Sequence, residues 1–208
     1  MADTKKEQER AELHRTILNI ANDLRGSVDG WDFKQYILGM LFYRFISENL
    51  TNYINEGEHK AGNVNFDYAS IPDEQAETIR EEMVDTKGFF ILPSQLFKNV
   101  RKNARNDENL NETLEKALNS IEDSAKGHDS EYDMKGLFDD LDVNSNKLGS
   151  SVAKRNDHLV QLMDGVGEMK LGNYQDNTID AFGDAYEYLM KMYASITGHD
   201  PLGREKLG

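Results

Sequence analysis

Four basic side chains near the middle of the chain have types and spacing suited to contacting phosphate groups. Lys98, Arg101, Lys102 and Arg105 stand at positions i, i+3, i+4 and i+7, with no acidic residue between them. Residues at this spacing share one face of an α-helix, and four cations on one face can neutralise phosphates and make binding strongly salt-dependent. The alternative is an ordinary solvated face whose cations pair with neighbouring acids, such as those of segment 126–142. These four residues form the basic stripe.

A second pattern lies close to the C-terminus and consists of aromatic residues. Phe182, Tyr186 and Tyr193 recur at helical spacing, with polar residues on the opposite side. That arrangement is typical of a packing surface, so it favours a core or subunit interface over a platform on which bases stack. The three residues are candidate interface residues.

The sequence contains no motif of a common enzyme or metal site. It has no cysteine, and its five histidines are scattered singly rather than spaced as metal ligands. Neither a G-x-x-x-x-G-K-[ST] phosphate loop nor a G-x-S-x-G nucleophile turn is present. Gly165-Val166-Gly167 follows a helical pattern instead of a strand, which predicts a helix end rather than a dinucleotide loop. We therefore predict no catalytic, cofactor-binding or metal-binding residue in this chain.

Length and charge limit the kinds of partner. The chain has 208 residues, 24 Lys and Arg against 38 Asp and Glu, and a formal net charge of −14. Charge of this sign repels a polyanion if it is evenly spread, so contact with nucleic acid requires a local basic patch or a partner subunit. The absence of cysteine and of a long apolar run predicts a soluble, cytoplasmic protein that does not enter membranes.

Hydrophobic periodicity predicts that helices position the basic stripe. Apolar residues between Leu13 and Leu24 recur at steps of three and four, which predicts an amphipathic helix over about residues 4–25. The segment 31–54 is apolar on nearly every side, as in a buried helix, and Gly57 is expected to end it.

The rest of the chain also reads as mostly helical. Further helices are predicted from Pro72 onwards, over 94–105 with Ser94 as the cap, over 110–121, over 148–166 and over 179–193. The apolar run 89–92 fits either a short strand or a buried turn. Segment 126–146 is acidic and loop-rich, with at most one helical turn around Leu137 and Phe138. The predicted fold class is a mainly α, compact multi-helix domain with at most a short two-strand element.

Several segments together resemble one known family. Residues 21–26 (ANDLRG) and 36–47 (YILGMLFYRFIS) resemble the opening of the modification subunit, a DNA methyltransferase, of type I restriction-modification systems. Residues 91–93 (ILP) and 137–141 (LFDDL) resemble segments from the middle of its N-terminal helical domain. Residues 180–189 (DAFGDAYEYL) resemble the helix that closes that domain.

The resemblance implies a domain organisation. Residues 1–196 correspond to the N-terminal helical domain, and residues 197–208 form a tail without a counterpart in the family. In the family, a Rossmann-like domain follows, binds S-adenosylmethionine and methylates the exocyclic amine of adenine. Its N-P-P-[FYW] segment is absent here, because the chain has three prolines and none are adjacent. We therefore expect an isolated domain that lacks the cofactor and catalytic motifs of the complete enzyme.

The resemblance also implies partners and a role. The modification subunit works with a specificity subunit, a restriction subunit, a second modification subunit and double-stranded DNA. This domain is then expected to act in interaction and DNA clamping, with the basic stripe at the DNA backbone and the aromatic residues at an interface. The alternative is an acidic stand-alone helical protein that acts as a DNA mimic or protein-interaction adaptor. The net charge fits a mimic, although the acids are mixed with lysines and arginines.

Overall fold

The computed structural model describes residues 2–23 and 30–169, together with Asp184, Glu187, Tyr188 and Lys191. Eight α-helices follow one another in these residues: α1 (Ala2–Asp23), α2 (Gly30–Lys60), α3 (Asp73–Ala76), α4 (Arg80–Lys87), α5 (Phe97–Asn103), α6 (Leu110–Ser124), α7 (Glu131–Met134) and α8 (Val152–Glu168). Short 3-10 helices lie at Tyr68–Ser70, Glu77–Ile79, Pro93–Gln95 and Ala104–Asn106. The described residues form no β-strand, and the predicted mainly α fold is confirmed. None of the described helices combines the length and apolarity needed to cross a lipid bilayer.

Helix α2 runs through the hydrophobic core, as its apolar sequence predicts. Buried positions recur in it from Tyr36 to Ile54. Two of its tyrosines are buried only because their hydroxyl groups find backbone acceptors. Tyr36 donates to the carbonyl of Asp142 at 2.8 Å and Tyr43 to that of Gln95 at 2.5 Å. These bonds connect α2 to the segment before α8 and to the segment before α5.

Helix α8 packs against α1, α2, α5 and α6. It ends at Glu168, one residue after Gly167, close to the helix end predicted at Gly165 or Gly167. Both glycines also allow a close approach. A Cβ on Gly165 would overlap Cγ1 of Ile20 in α1, and a Cβ on Gly167 would overlap the guanidinium of Arg101 in α5. The glycines therefore also serve packing at the C-terminal end of α8.

The end of α2 also differs from its prediction. Gly57 is helical, and α2 continues to Lys60. Gly62 supplies the left-handed residue instead, with a φ of 101°. The amide of Gly62 donates to the carbonyl of His59 and the amide of Asn63 to that of Glu58, which is the Schellman arrangement at a helix C-terminus. Gly62, and not Gly57, is the glycine whose neighbours complete the Schellman hydrogen bonds, so α2 ends about one turn later than expected.

Three local expectations are corrected by contacts between distant segments. Ser94 does not cap α5, because its amide and hydroxyl both donate to the carboxylate of Asp73, at 2.9 Å and 2.6 Å. Segment 89–92 forms neither the short strand nor the turn considered for it; Phe90 and Ile91 at its centre are buried, and the carbonyl of Ile91 accepts the Tyr68 hydroxyl. The helical turn of segment 126–146 is α7, which precedes the expected position at Leu137.

The described residues near the C-terminus contact α1. Arg10 donates through Nε to the carboxylate of Asp184 at 3.1 Å. The ring of Tyr188 stacks on His14 with a centroid separation of 3.9 Å. The candidate interface residues Phe182, Tyr186 and Tyr193 lie outside the described residues, and their role stays a prediction.

Replacing Gly165 by alanine should destabilise the fold by about 1–3 kcal/mol, because the new methyl group overlaps Ile20 where α1 crosses α8. Gly57→Ala is the matched control, since Gly57 is also helical but an added methyl group there would meet no neighbouring side chain within 4 Å. It should stabilise the chain by about 0.5–1 kcal/mol through helix propensity. Urea unfolding of both variants measures the difference, and equal effects would contradict the packing role of Gly165.

Stability should fall as the pH drops through the ordinary titration range of histidine. Burial lowers the pKa of His14, opposed by Asp184 and assisted by Lys191 and Arg10. The folded chain therefore prefers neutral His14, while the unfolded chain takes up a proton near its usual pKa of about 6.5. Below that pH, proton uptake favours unfolding.

The variant His14→Phe isolates this effect, because it keeps an aromatic ring against Tyr188 and removes the titrating group. Urea unfolding at about pH 7.5 and about pH 5.5 should show a smaller loss of stability in the variant than in the parent chain. Identical losses would show that His14 does not contribute to the pH dependence.

Candidate functional site

The basic stripe lies on α5 and on the 3-10 turn that follows it. The opposite side of this segment is apolar: Phe97, Val100 and Ala104 are buried in the core. Burying that side turns Lys98, Lys102 and Arg105 toward solvent, while Arg101 is half-buried. The helical spacing therefore brings the four cations to one side, as expected, but not into equivalent environments.

The two arginines share one carboxylate, that of Asp164 in α8. Arg101 donates through Nε to Oδ1 of Asp164 at 3.1 Å, and Nη2 of Arg105 donates to Oδ2. Nη2 of Arg101 also lies 3.6 Å from Glu168. The acids that pair with the arginines thus come from α8, and not from segment 126–142, the source considered for the alternative interpretation.

Arg101 and Arg105 differ in how firmly they are held. The side chain of Arg101 is 29% exposed and its guanidinium lies against the backbone of Gly167. The side chain of Arg105 is 74% exposed, and Asp164 is its ion-pair partner. Arg101 therefore connects α5 to α8. Arg105 extends into solvent, and only its guanidinium contacts α8, at Asp164.

The two lysines are more available than the arginines. Lys98 is 74% exposed and lies 3.9 Å from the carboxylate of Asp67, a distance at the outer limit of an ion pair. Lys102 is exposed and has no carboxylate partner among the residues that the structure describes. Exposed pairs of this kind contribute little to stability, so phosphate groups can compete for both lysines.

The carboxylate of Asp67 is already hydrogen-bonded to neighbouring groups. Partial burial alone would raise its pKa, but hydrogen bonds from the Ala69 amide, the Ser70 hydroxyl and the Asn55 amide hold the pKa below its usual value. Its oxygens cap the 3-10 helix that begins at Tyr68. Asp67 is therefore anionic and fixed by its own turn, with Lys98 as an outer neighbour.

A groove of about 370 Å³ adjoins the stripe. Lys98 and Arg101 form one side, and Ser47, Asn52 and Arg44 of α2 line the other. Arg44 is largely committed to structure: one of its guanidinium nitrogens donates to the carbonyls at the end of α8, of Val166 at 2.7 Å and of Met169 at 2.8 Å. A cation at the negative end of the α8 dipole stabilises that end.

The chemistry available at this site is the binding of anions. Among the residues that the structure describes, no three histidine or acidic side chains are grouped so that they could hold a metal ion. Guanidinium and ammonium groups bind phosphate oxygens as well as carboxylates. The exposed cations of the stripe can therefore bind an anion.

Sequence reasoning missed Asp164, Gly167 and Arg44, which organise the stripe. A signal existed for Arg44, the one charge within the apolar stretch 39–46. Asp164 and Glu168 also stand at i and i+4, although only Asp164 lies within the predicted helix over 148–166. Neither signal indicates which distant group the charged side chain contacts.

Comparison with known proteins gives consistent matches. The family model described as the HsdM N-terminal domain matches residues 13–166. The chain is 43% identical over 203 residues to the type I restriction enzyme MpnII methylase subunit of Mycoplasma pneumoniae (strain ATCC 29342 / M129 / Subtype 1), covering 94% of this chain and 37% of that protein.

A solved structure is also similar. The crystal structure of the type I restriction-modification system methyltransferase subunit from Streptococcus thermophilus superposes with a TM-score of 0.71 at 26% identity. The match covers 89% of this chain and 39% of that one. The chain thus spans well under half the length of the two proteins it matches.

The unequal environments of the arginines predict unequal effects on stability. Arg101→Ala should lower the free energy of unfolding by about 1–2 kcal/mol, because it removes both the packing on Gly167 and the charged hydrogen bond to Asp164. Arg105→Ala, the matched control, should change it by about 0.5 kcal/mol or less, since its pair is exposed. Urea unfolding measures both, and a larger loss for Arg105→Ala would refute the assignment of Arg101 as the structural member.

Proposed function

Since this chain belongs to the family of HsdM N-terminal domains, we propose that it is the interaction and DNA-clamping domain of a type I modification subunit. The complete subunit would transfer a methyl group from S-adenosylmethionine to adenine in DNA. The names of the two matched proteins, a methylase subunit and a methyltransferase subunit, support this proposal. Residues 1–196 would form the domain, and residues 197–208 a tail.

We assign the cofactor to the rest of the complete subunit. The resemblance places S-adenosylmethionine in a Rossmann-like domain, where a strand leads into a glycine turn and a helix. The described residues do not fit that group, because they contribute no strand to build such a turn. The proposed role of this chain is then to bind its partners and DNA and to position them. Its proposed partners are the specificity subunit, the restriction subunit, a second modification subunit and duplex DNA.

The observation that carries the DNA-clamping proposal is the exposure of Lys98 and Lys102 on one side of α5. The two lysines stand at i and i+4 and are exposed to solvent. In the described chain, Lys98 has one carboxylate nearby, that of Asp67 at 3.9 Å, and Lys102 has none. Contacts to phosphate position a protein on the duplex without reading its sequence. Such a role suits a domain whose complex obtains its base specificity from another subunit.

Removing both lysines should weaken DNA binding and reduce its dependence on salt. For Lys98→Ala/Lys102→Ala in the full 208-residue chain, the slope of log K against log salt should flatten by about 1.8, at roughly 0.9 for each lost phosphate contact. Fluorescence anisotropy with a short labelled duplex at low salt measures both quantities. Two duplexes of unrelated sequence should give the same result, because the contacts are to the backbone.

The matched control is Lys116→Ala/Lys126→Ala. These lysines are also exposed, and the double variant changes the net charge by the same amount, but they belong to α6 and the turn after it. The control should bind almost as the parent chain does. Equal losses in the two variants, or no binding by the parent chain at low salt, would reject phosphate contact at the stripe.

A further inference from the structure

We infer that Asp164 is an internal substitute for a DNA phosphate: it holds Arg105 in the free chain and gives it up to the duplex. The inference rests on the proposed function and adds a regulation of the same surface. The carboxylate of Asp164 accepts from Arg101 through Oδ1 and from Arg105 through Oδ2. One acid thus occupies both guanidinium groups of the basic stripe.

Arginine forms the same kind of charge-assisted hydrogen bonds with a carboxylate and with a phosphate. A phosphate can therefore take the place of Asp164 at Arg105 without a new type of interaction. Arg105 is 74% exposed, so a duplex can reach it, and an ion pair at such a site is weak enough to be exchanged.

The exchange is selective because the two arginines are held differently. Arg101 lies against Gly167, keeps a second acid within 3.6 Å at Glu168, and has most of its side chain covered. When Arg105 leaves, Asp164 retains its bond to Arg101 and is not left as an unpaired, partly buried charge. Asp164 and Arg101 therefore stay together as a structural pair, and Arg105 is the arginine that exchanges.

The consequence is that the free chain presents fewer available cations than the bound chain. Lys98 and Lys102 make the first contacts, and Arg105 joins them after it leaves Asp164. An anion that binds Arg105 must first displace the carboxylate of Asp164, so weakly binding anions are disfavoured. Asp164 thereby reduces the affinity of the stripe for anions in general.

The test compares Asp164→Asn, Arg105→Ala and the double variant in the full 208-residue chain, by anisotropy with a labelled duplex at low salt. Asp164→Asn should increase the affinity about two- to fivefold, the range expected when one exposed ion pair stops competing. Arg105→Ala should flatten the salt slope by about 0.9. In the Arg105→Ala background, Asp164→Asn should have no further effect.

The matched control is Asp157→Asn, which lies on the exposed side of the same helix and makes the same change in net charge. It should increase the affinity less than Asp164→Asn does. Equal gains from the two substitutions would show that only the total charge matters, and would overturn the inference. A gain from Asp164→Asn that persists without Arg105 would do the same.

Failure of the inference is distinguishable from failure of the proposed function. If Lys98→Ala/Lys102→Ala weakens binding and Asp164→Asn does not strengthen it, the stripe contacts DNA and Asp164 is not a competitor. If none of these variants changes binding, phosphate contact at the stripe itself is rejected.

A second measurement covers the case in which Asp164→Asn does not fold. The Nε–H signals of arginine are followed by NMR while unlabelled duplex is added to the unmodified chain. The signal of Arg105 should shift, and that of Arg101, which is bonded to Oδ1 of Asp164, should keep its position. Shifts of both signals, or of neither, would contradict the selective exchange.

Discussion

The close approach of α8 to its neighbours is the constraint on which the other features depend. Gly165 lets Ile20 of α1 reach the helix backbone, and Gly167 does the same for the guanidinium of Arg101. A side chain at Gly165 would push against Ile20 between α1 and α8, because packed interiors do not accommodate additional methyl groups without displacement, and one at Gly167 would displace the guanidinium of Arg101. Arg44 of α2 then binds the last carbonyls of α8. One helix therefore fixes the relative positions of the surfaces built on α1, α2 and α5.

The same contact divides the cations of α5 between structure and surface. Arg101 and Arg105 meet Asp164 because α8 lies close enough for a short carboxylate to reach both. Arginine suits this position, since its guanidinium lies close to Gly167 and still donates to an acid. The lysines, with a strongly hydrated ammonium group, stay in solvent. Under the proposed function, the phosphate-binding capacity of the surface is thus determined by a helix that does not itself carry the basic stripe.

The sequence predicted what depends on local periodicity and missed what depends on distant contacts. The apolar spacing of α1, α6 and α8 was sufficient, because each of these helices buries one continuous face, and the apolar residues all round α2 marked it as a helix of the core. The end of α8 was predicted near Gly165 and Gly167, but the contacts of these glycines with α1 and α5 were not, because a glycine in a helical pattern looks the same whether or not a neighbour packs on it. Asp164 could not be recognised as a partner, since the arginines it binds are 63 and 59 residues away in the chain. The position of the basic stripe was accessible from spacing, but the unequal freedom of its members was not.

The acidic character of the rest of the chain contributes to the proposed role. The formal charge of −14 repels a duplex on average. Under the proposed function, an approach that presents α5 would place Lys98 and Lys102 first, and this average repulsion would disfavour approaches that do not present them. Contacts to phosphate carry no sequence information, yet in this arrangement they still select a direction of approach. A domain of this kind would orient its complex on DNA and leave base recognition to another subunit.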